Sequence, residues 1–129
     1  MKSTFSRTWN SSVQRRKQRK FSYNAPHHIK GKFLSAHLSP VLREKYSTRS
    51  LRLKKGDKVK ILRGSSKGKE GTIERVDLQK TRVYINKMER TKVEGAKAQL
   101  VFHPSSLMII ELNLSDKKRK AKLEAKNKE

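Results

Sequence analysis

Apolar and charged residues alternate in several short stretches of the chain, and the alternation predicts strands. In residues 58–63, Val59 and Ile61 sit between Lys58 and Lys60, the pattern of a half-buried strand, and the polar run GSSKGK then breaks it. Residues 71–77 predict a second strand. Ile73 and Val76 are three apart there, so both face inward only if the strand bulges or bends, as a tightly curved small barrel requires. Residues 81–86 alternate again through Val83 and Ile85, and residues 107–114 place Met108, Ile110, Leu112 and Leu114 on one face. Two weaker runs, 91–94 and 98–102, fit an intervening edge or hairpin. These short strands predict a mainly β fold with a closed or nearly closed small sheet.

The first 54 residues show no sustained alternation. Their clearest local signal is Ser39-Pro40, a capping residue followed by a proline suited to a first helical position, which predicts a short helix over residues 40–46. Ser12 is placed to cap a second helix over residues 13–20, and Ser115 a third from Asp116 onward, whose only apolar contacts are Ala121, Leu123 and Ala125. Both flanks are so poor in apolar residues that they are expected to order only against phosphate.

Charge sharpens this division. The 129 residues carry 34 Lys and Arg against 11 acids, a formal net charge of +23. Residues 1–54 hold 14 basic residues and one acid, Glu44, whereas residues 55–114 hold 13 and 7, and residues 115–129 hold 7 and 3. Self-repulsion on that scale implies a polyanionic partner. No apolar run approaches the roughly 18 residues of a spanning helix, so nucleic acid is favoured over membrane insertion. The absence of cysteine excludes disulfides, thiolate zinc sites and cysteine nucleophiles. The Arg- and Ser-rich start has the composition of a transit peptide, but the same basic character continues through Lys54, so it is read as part of one basic arm. The expected organisation is an arm over residues 1–50, a β domain over 51–114 and a basic helix or tail over 115–129.

The central motif is GDKVKILRGSSKGKEGTI, residues 56–73. Gly64 and Gly68 permit left-handed or tight backbone at the strand ends, Gly71 permits a close approach or a bulge, and Lys67 and Lys69 project cations from the loop. Glycines there also let phosphate approach backbone amides. Asp57, beside Gly56 at a strand start, is read as a turn former. A Gly- and Lys-rich hairpin is equally compatible with a plain solvated turn. This stretch resembles a KOW motif, the strand-loop-strand element of ribosomal proteins and certain transcription elongation factors. Gly56, Asp57, Val59, Ile61, Gly64, Gly68, Gly71 and Ile73 would be its structural positions.

Two further stretches, RRKQRKFSYNAPHHIKGKFLSAHLSPVLREKYSTRSL before it and HPSSLMIIELNLSDKKRK after it, extend the likeness in order and spacing. Together the three resemble the KOW-containing large-subunit ribosomal proteins numbered twenty-four in the universal naming and twenty-six in the older eukaryotic one. The first stretch points to the archaeal and eukaryotic branch. Glu94-Gly95 stands where that family often has Asn-Gly, and the first ten residues match nothing in it. The resemblance implies an SH3-like barrel with short helices in its arm and tail, bound to the 5′ domain of large-subunit rRNA near the polypeptide exit. It also implies neighbouring large-subunit proteins, a role in subunit assembly, and a cytoplasmic ribosome with nuclear or nucleolar transit if the source is eukaryotic. No cofactor, metal, small-molecule substrate or membrane insertion is expected.

Candidate RNA contacts follow from the basic runs. In the arm they are Arg15, Arg16, Lys17, Arg19, Lys20, His27, His28, Lys30, Lys32, Arg43, Arg49 and Arg52. In the motif they are Arg63, Lys67 and Lys69, and in the tail Lys117, Lys118, Arg119 and Lys120; before the last strand, His103-Pro104-Ser105 resembles the family's rRNA-facing turn, which implies His103 and Ser105. Each has a plainer reading as a solvated face or an ordinary loop residue, and the scarcity of acids favours phosphate. Trp9, Phe21 and Tyr23 fit base stacking or packing, while packing is preferred for Phe33 and Leu34. QRRKQRK also fits a nuclear import signal.

Two other classes compete. A transcription elongation or chromatin module uses KOW barrels to bind protein, but usually within a longer and less uniformly basic chain. An enzyme would need a nucleophile-base pair, a phosphate fingerprint or a metal set, and the sequence offers none.

Overall fold

The computed structural model of the chain describes residues 5, 6, 8, 9 and 12–126. The alternating segments fold as their period demands. Strand β3 (Lys58–Ile61) buries Val59 and Ile61 completely, β4 (Glu70–Asp77) buries Ile73, and β5 (Arg82–Thr91) buries Val83 and Ile85. β6 is Lys97–Phe102 and β7 is Leu107–Glu111, entered through a 3-10 turn at Pro104–Ser106. The arm supplies β1 (Ser35–Leu38) and β2 (Ser50–Arg52), giving the strand order β2-β1-β7-β3-β4-β5-β6. The fold is mainly β, an SH3-like barrel of the KOW type with four short α-helices among the described residues.

The expected irregularity in β4 is present. Ile73 pairs with Ile85 but Arg75 with Tyr84 and Val76 with Val83, so the register slips between Ile73 and Arg75. The slip turns Ile73 into the core while Val76, three residues on, packs partly buried against it. Gly71 makes room for a β5 side chain: a Cβ there would lie 2.5 Å from Cγ2 of Ile85. Of the weaker runs, residues 98–102 lie within β6. Of residues 91–94, Thr91 ends β5 and 92–94 form the β5-β6 hairpin tip, closed by Gly95 N–H donating to the Lys92 carbonyl at 3.0 Å.

The last strand corrects the sequence reading by one residue. Leu107 and Ile109 are fully buried, whereas Met108 and Ile110 are only half-buried, and the strand ends at Glu111 before Leu112 and Leu114. β7 pairs Ile109 with Val59 and Leu107 with Ile61, and partners in register point to the same side of a sheet. The phase of β7 is thus dictated by β3.

The flanks also depart from expectation, since they carry their own share of the apolar core rather than waiting for phosphate. Leu34, Ala36 and Leu38 from the arm join Leu53, Val59, Ile61, Ile73, Val83, Ile85, Leu107 and Ile109 in one cluster. β1 pairs parallel with β7, His37 opposite Met108 and Leu38 opposite Ile109, and Ser39 N–H donates to the Ile109 carbonyl at 2.9 Å.

Helix α1 spans Arg15–Asn24, starting later and running further than residues 13–20. Its Arg, Lys and Gln residues are good helix formers, and it stops where Ala25, preceding Pro26, is forced into extended backbone. Ser12 Oγ accepts the Gln14 amide at 3.3 Å, but Gln14 itself is the N-cap, so Ser12 stands two positions before the capping site. A second arm helix, α2 (His27–Phe33), has no signal in the sequence pattern; it is seeded by the Pro26 carbonyl, which accepts the Ile29 and Lys30 amides at 3.0 and 2.9 Å. α3 spans Pro40–Tyr46 as expected, with Ser39 before it, although the Ser39 side chain makes no capping bond. In the tail, α4 (Lys117–Lys126) is capped by Asp116 rather than Ser115: Oδ1 of Asp116 accepts the Lys118 amide at 3.0 Å. Of its three expected apolar contacts only Leu123 is buried; Ala121 and Ala125 are exposed.

Candidate nucleic-acid interface

The segment RRKQRKFSYN of α1 contains no acid, and all five of its cations, Arg15, Arg16, Lys17, Arg19 and Lys20, are exposed. None of them enters an ion pair among the described residues. A helix so charged needs an apolar support, and Phe21 provides it by stacking on Phe5 at 4.9 Å and Trp9 at 5.0 Å. Trp9 and Phe21 therefore meet each other, while Tyr23 is 81% exposed and Phe33 39%.

On α2, His27, His28 and Lys32 are exposed, and no cluster of metal-binding side chains occurs among the described residues. Lys30 turns inward instead: it is 9% exposed, with Nζ 5.8 Å from the centre of the Tyr23 ring. Arg43, Arg49 and Arg52 are exposed, Arg43 being steered by an Nε–H donated to the Leu38 carbonyl at 2.8 Å. Gly31 carries no signal in the sequence, yet a Cβ there would stand 2.5 Å from Cζ of Arg52. The missing side chain lets the guanidinium lie across α2. A cavity of about 390 Å³ opens at this place between α2, β2 and α4, and His28, Lys32, Arg52 and Lys122 line it with Thr48 and Ser50. These are donors suited to phosphate oxygens.

The loop after β3 is self-contained. Gly64 and Gly68 take φ of +88° and +86°, the left-handed region. The amides of Lys67, Gly68 and Lys69 donate to the carbonyls of Gly64, Ile61 and Ser66 at 3.1, 2.8 and 3.2 Å. Those three N–H groups are consequently spent inside the loop, and the side chains of Arg63, Lys67 and Lys69 stand exposed around it.

Ahead of β7, Nδ1 of His103 accepts the Ser105 amide at 3.2 Å and lies 2.7 Å from Ser105 Oγ, so it caps the 3-10 turn. Acceptance at Nδ1 leaves Nε2 as the N–H donor when the ring is neutral. Partial burial, and then the positive charge of Arg82, hold this histidine below its ordinary pKa.

The tail splits in two. Lys117, Lys118 and Lys120 are exposed, Lys120 reaching Glu124 at 3.8 Å. Arg119 points the other way. Its Nη1 donates to Asp57 Oδ1 at 2.7 Å and to the Asn113 carbonyl at 3.0 Å, and Nη2 to Asp57 Oδ2 at 2.8 Å and to the Arg52 carbonyl at 3.1 Å. All four terminal N–H groups of the guanidinium thus have internal acceptors. Asp57, fully buried, also accepts the Lys54 amide on Oδ2 and the Asn113 amide on Oδ1, both at 2.9 Å. Beyond turning the chain after Gly56, it is the anchor of the tail. Two surface pairs brace the same region. Lys58 donates to Glu111 at 3.0 Å, which raises the lysine, and Lys54 to Asp116 at 2.8 Å, which with the Lys118 amide lowers the carboxyl.

The family of eukaryotic L26 and archaeal L24 ribosomal proteins matches residues 12–126. The chain belongs to this family of ribosomal proteins. It is 47% identical over 112 residues to the "Large ribosomal subunit protein uL24" of Methanoculleus marisnigri, covering 87% of this chain and 93% of the relative. The protein of the same name from Methanocorpusculum labreanum is 47% identical over 116 residues, covering 90% and 96%. That of Methanospirillum hungatei is 46% identical over 112, covering 87% and 93%. For this ribosomal protein the family match runs from the approach to α1 through α4, so arm, barrel and tail belong to it alike. No helix among the described residues is long and apolar enough to cross a membrane.

Proposed function

We propose that this ribosomal protein is a structural constituent of the large ribosomal subunit and grips rRNA with its arm, its KOW loop and its tail. The observation that carries the reading is α1, where five exposed cations share a helix with no acid and enter no ion pair among the described residues. Such a surface gains by releasing counterions from a phosphate backbone, each contact steepening the salt dependence by about 0.7 to 0.9 log unit. In this reading the arm (1–50), barrel (51–114) and tail (115–129) divide the contacts among them, while a common core joins arm to barrel and the Arg119–Asp57 pair ties the tail to both. The 5′ domain of large-subunit rRNA is the proposed ligand, with neighbouring large-subunit proteins close to the polypeptide exit and a part in early subunit assembly. The cytoplasmic ribosome is the proposed location, with nucleolar transit if the source is eukaryotic.

Crosslinking in sedimented large subunits, mapped by sequencing, tests this. Crosslinks from residues 15–20, 67–69 and 117–120 to the 5′ domain are expected. Co-purification with RNA polymerase in the absence of large subunits would instead make the chain a transcription module.

A further inference from the structure

A groove of about 840 Å³ runs between β2, the segment leading to β3, β4 and α4, and the proposed rRNA contacts leave its floor unused. That floor is aliphatic: Leu53 is buried, and Leu51, Val76 and Leu78 are half-buried against the core. Arg52, Lys54, Lys55, Lys118 and Lys122 stand around it. Its two acids are already engaged, Asp116 with Lys54 at 2.8 Å and Glu74 with the Gln99 side-chain amide. Arg52, Lys55, Lys118 and Lys122 enter no ion pair among the described residues.

A cationic rim alone would suit RNA, but the floor decides otherwise. Unpaired bases are held by stacking on rings or guanidinium planes. No aromatic residue lines this groove, and its three guanidinium groups are engaged: Arg75 lies 4.1 Å over the ring of Tyr84, Arg119 is bound to Asp57, and Arg52 lies across Gly31 of α2. Aliphatic walls gain instead by covering aliphatic side chains, and the volume is within the range that accepts more than one of them. We propose that the groove is a docking site for a segment of another protein, with Leu, Ile or Val anchors seated on Leu51, Leu53, Val76 and Leu78 and flanking Asp or Glu against Lys118, Lys122 and Lys55. The latch of Arg119 on Asp57 holds α4 in place as the groove's wall.

The test uses the full chain and a short fluorescent peptide that alternates Leu pairs with Glu. Binding by anisotropy is expected, with amide shifts confined to residues 51–55, 76–78 and 116–122. A peptide with Ser for Leu should bind about tenfold more weakly or worse, the loss of buried aliphatic side chains. The exposed double variant Lys118→Glu/Lys122→Glu should weaken the Leu peptide by a similar factor, and Leu78→Ser should do so with its fold checked by circular dichroism. Equal binding of the Ser peptide would reduce the groove to a charge effect, and no binding would remove the site. Displacement of the Leu peptide by oligouridylate, with the same amides shifted, would make it an RNA site. Leu78→Ser should leave rRNA crosslinks from α1 unchanged, so failure here and failure of the rRNA reading are seen separately.

Discussion

Asp57 and Arg119 face each other as a bidentate pair, Oδ1 to Nη1 at 2.7 Å and Oδ2 to Nη2 at 2.8 Å, with the carboxylate fully buried and the arginine side chain 10% exposed. Removing one partner of a buried pair leaves the other uncompensated, which destabilises by about 3–5 kcal/mol. Asp57→Ala should therefore lower the unfolding free energy by an amount of that order, read from the shift of the denaturant midpoint. Arg119→Lys, which keeps the charge but loses the fork, should fall between it and the parent. In both variants hydrogen exchange in α4 should accelerate before that of the barrel.

The arm has a boundary within it. Deleting residues 1–24 removes α1 and should spare the barrel, so its melting temperature changes little while the salt slope of rRNA binding flattens. The expected decrease is about 0.7 to 0.9 log unit for each α1 cation that lay on a phosphate. Deleting residues 1–38 also removes β1 with Leu34, Ala36 and Leu38 from the core, and that chain should fail to fold cooperatively. Equal stability of the two truncations would sink this account.

In the KOW loop, side-chain and backbone roles should separate. Lys67→Glu and Lys69→Glu are expected to weaken rRNA binding without moving the melting temperature, since both side chains are exposed. Gly68→Ala forces a Cβ into a backbone at φ +86° and should destabilise by roughly 1–2 kcal/mol, although nothing crowds that side of the loop.

His103 sets a pH dependence whose sign is fixed. Its folded pKa lies below 6.5, so over the window from 6.5 downward the unfolded chain binds more protons than the folded one. Its stabilising contribution is complete above that window and is lost as pH falls through the depressed value. Thermal melts between pH 5 and 8 should show a decline on acidification that is shallower in His103→Asn, which cannot take up the proton.

Where a strand has one apolar phase, the sequence speaks clearly: Val59 and Ile61, or Val83 and Ile85, leave no choice of face. β7 has two. Apolar residues occupy both phases of residues 107–110, and Leu112 and Leu114 tip the pattern toward the even positions. The decision comes from its register with Val59 and Ile61, a contact no local window contains. β1 is only four residues long and is recognisable only once β2 and β7 lie beside it. The site divides in the same manner. Exposed cations on α1 and in the KOW loop follow from composition, but whether an arginine in a basic run points out or in does not. Arg119 turns inward because Asp57, 62 positions earlier, is buried beneath it, while its neighbours Lys118 and Lys120 stay in solvent.

The parallel pairing of β1 with β7 carries a consequence for the order of events during synthesis. Residues 35–38 leave the ribosome long before residues 107–111, and until the latter arrive His37 and Leu38 have no β7 neighbours to pair with. A sheet whose early strand waits for its last must close late, through a contact of large sequence separation. The nascent arm can meanwhile pair β1 only with β2, and for most of translation its polycation lacks the β7 side of that sheet. It gains a fixed orientation toward α4 only when the chain is nearly complete, and a polyanion close to its birthplace could hold it before its own fold does.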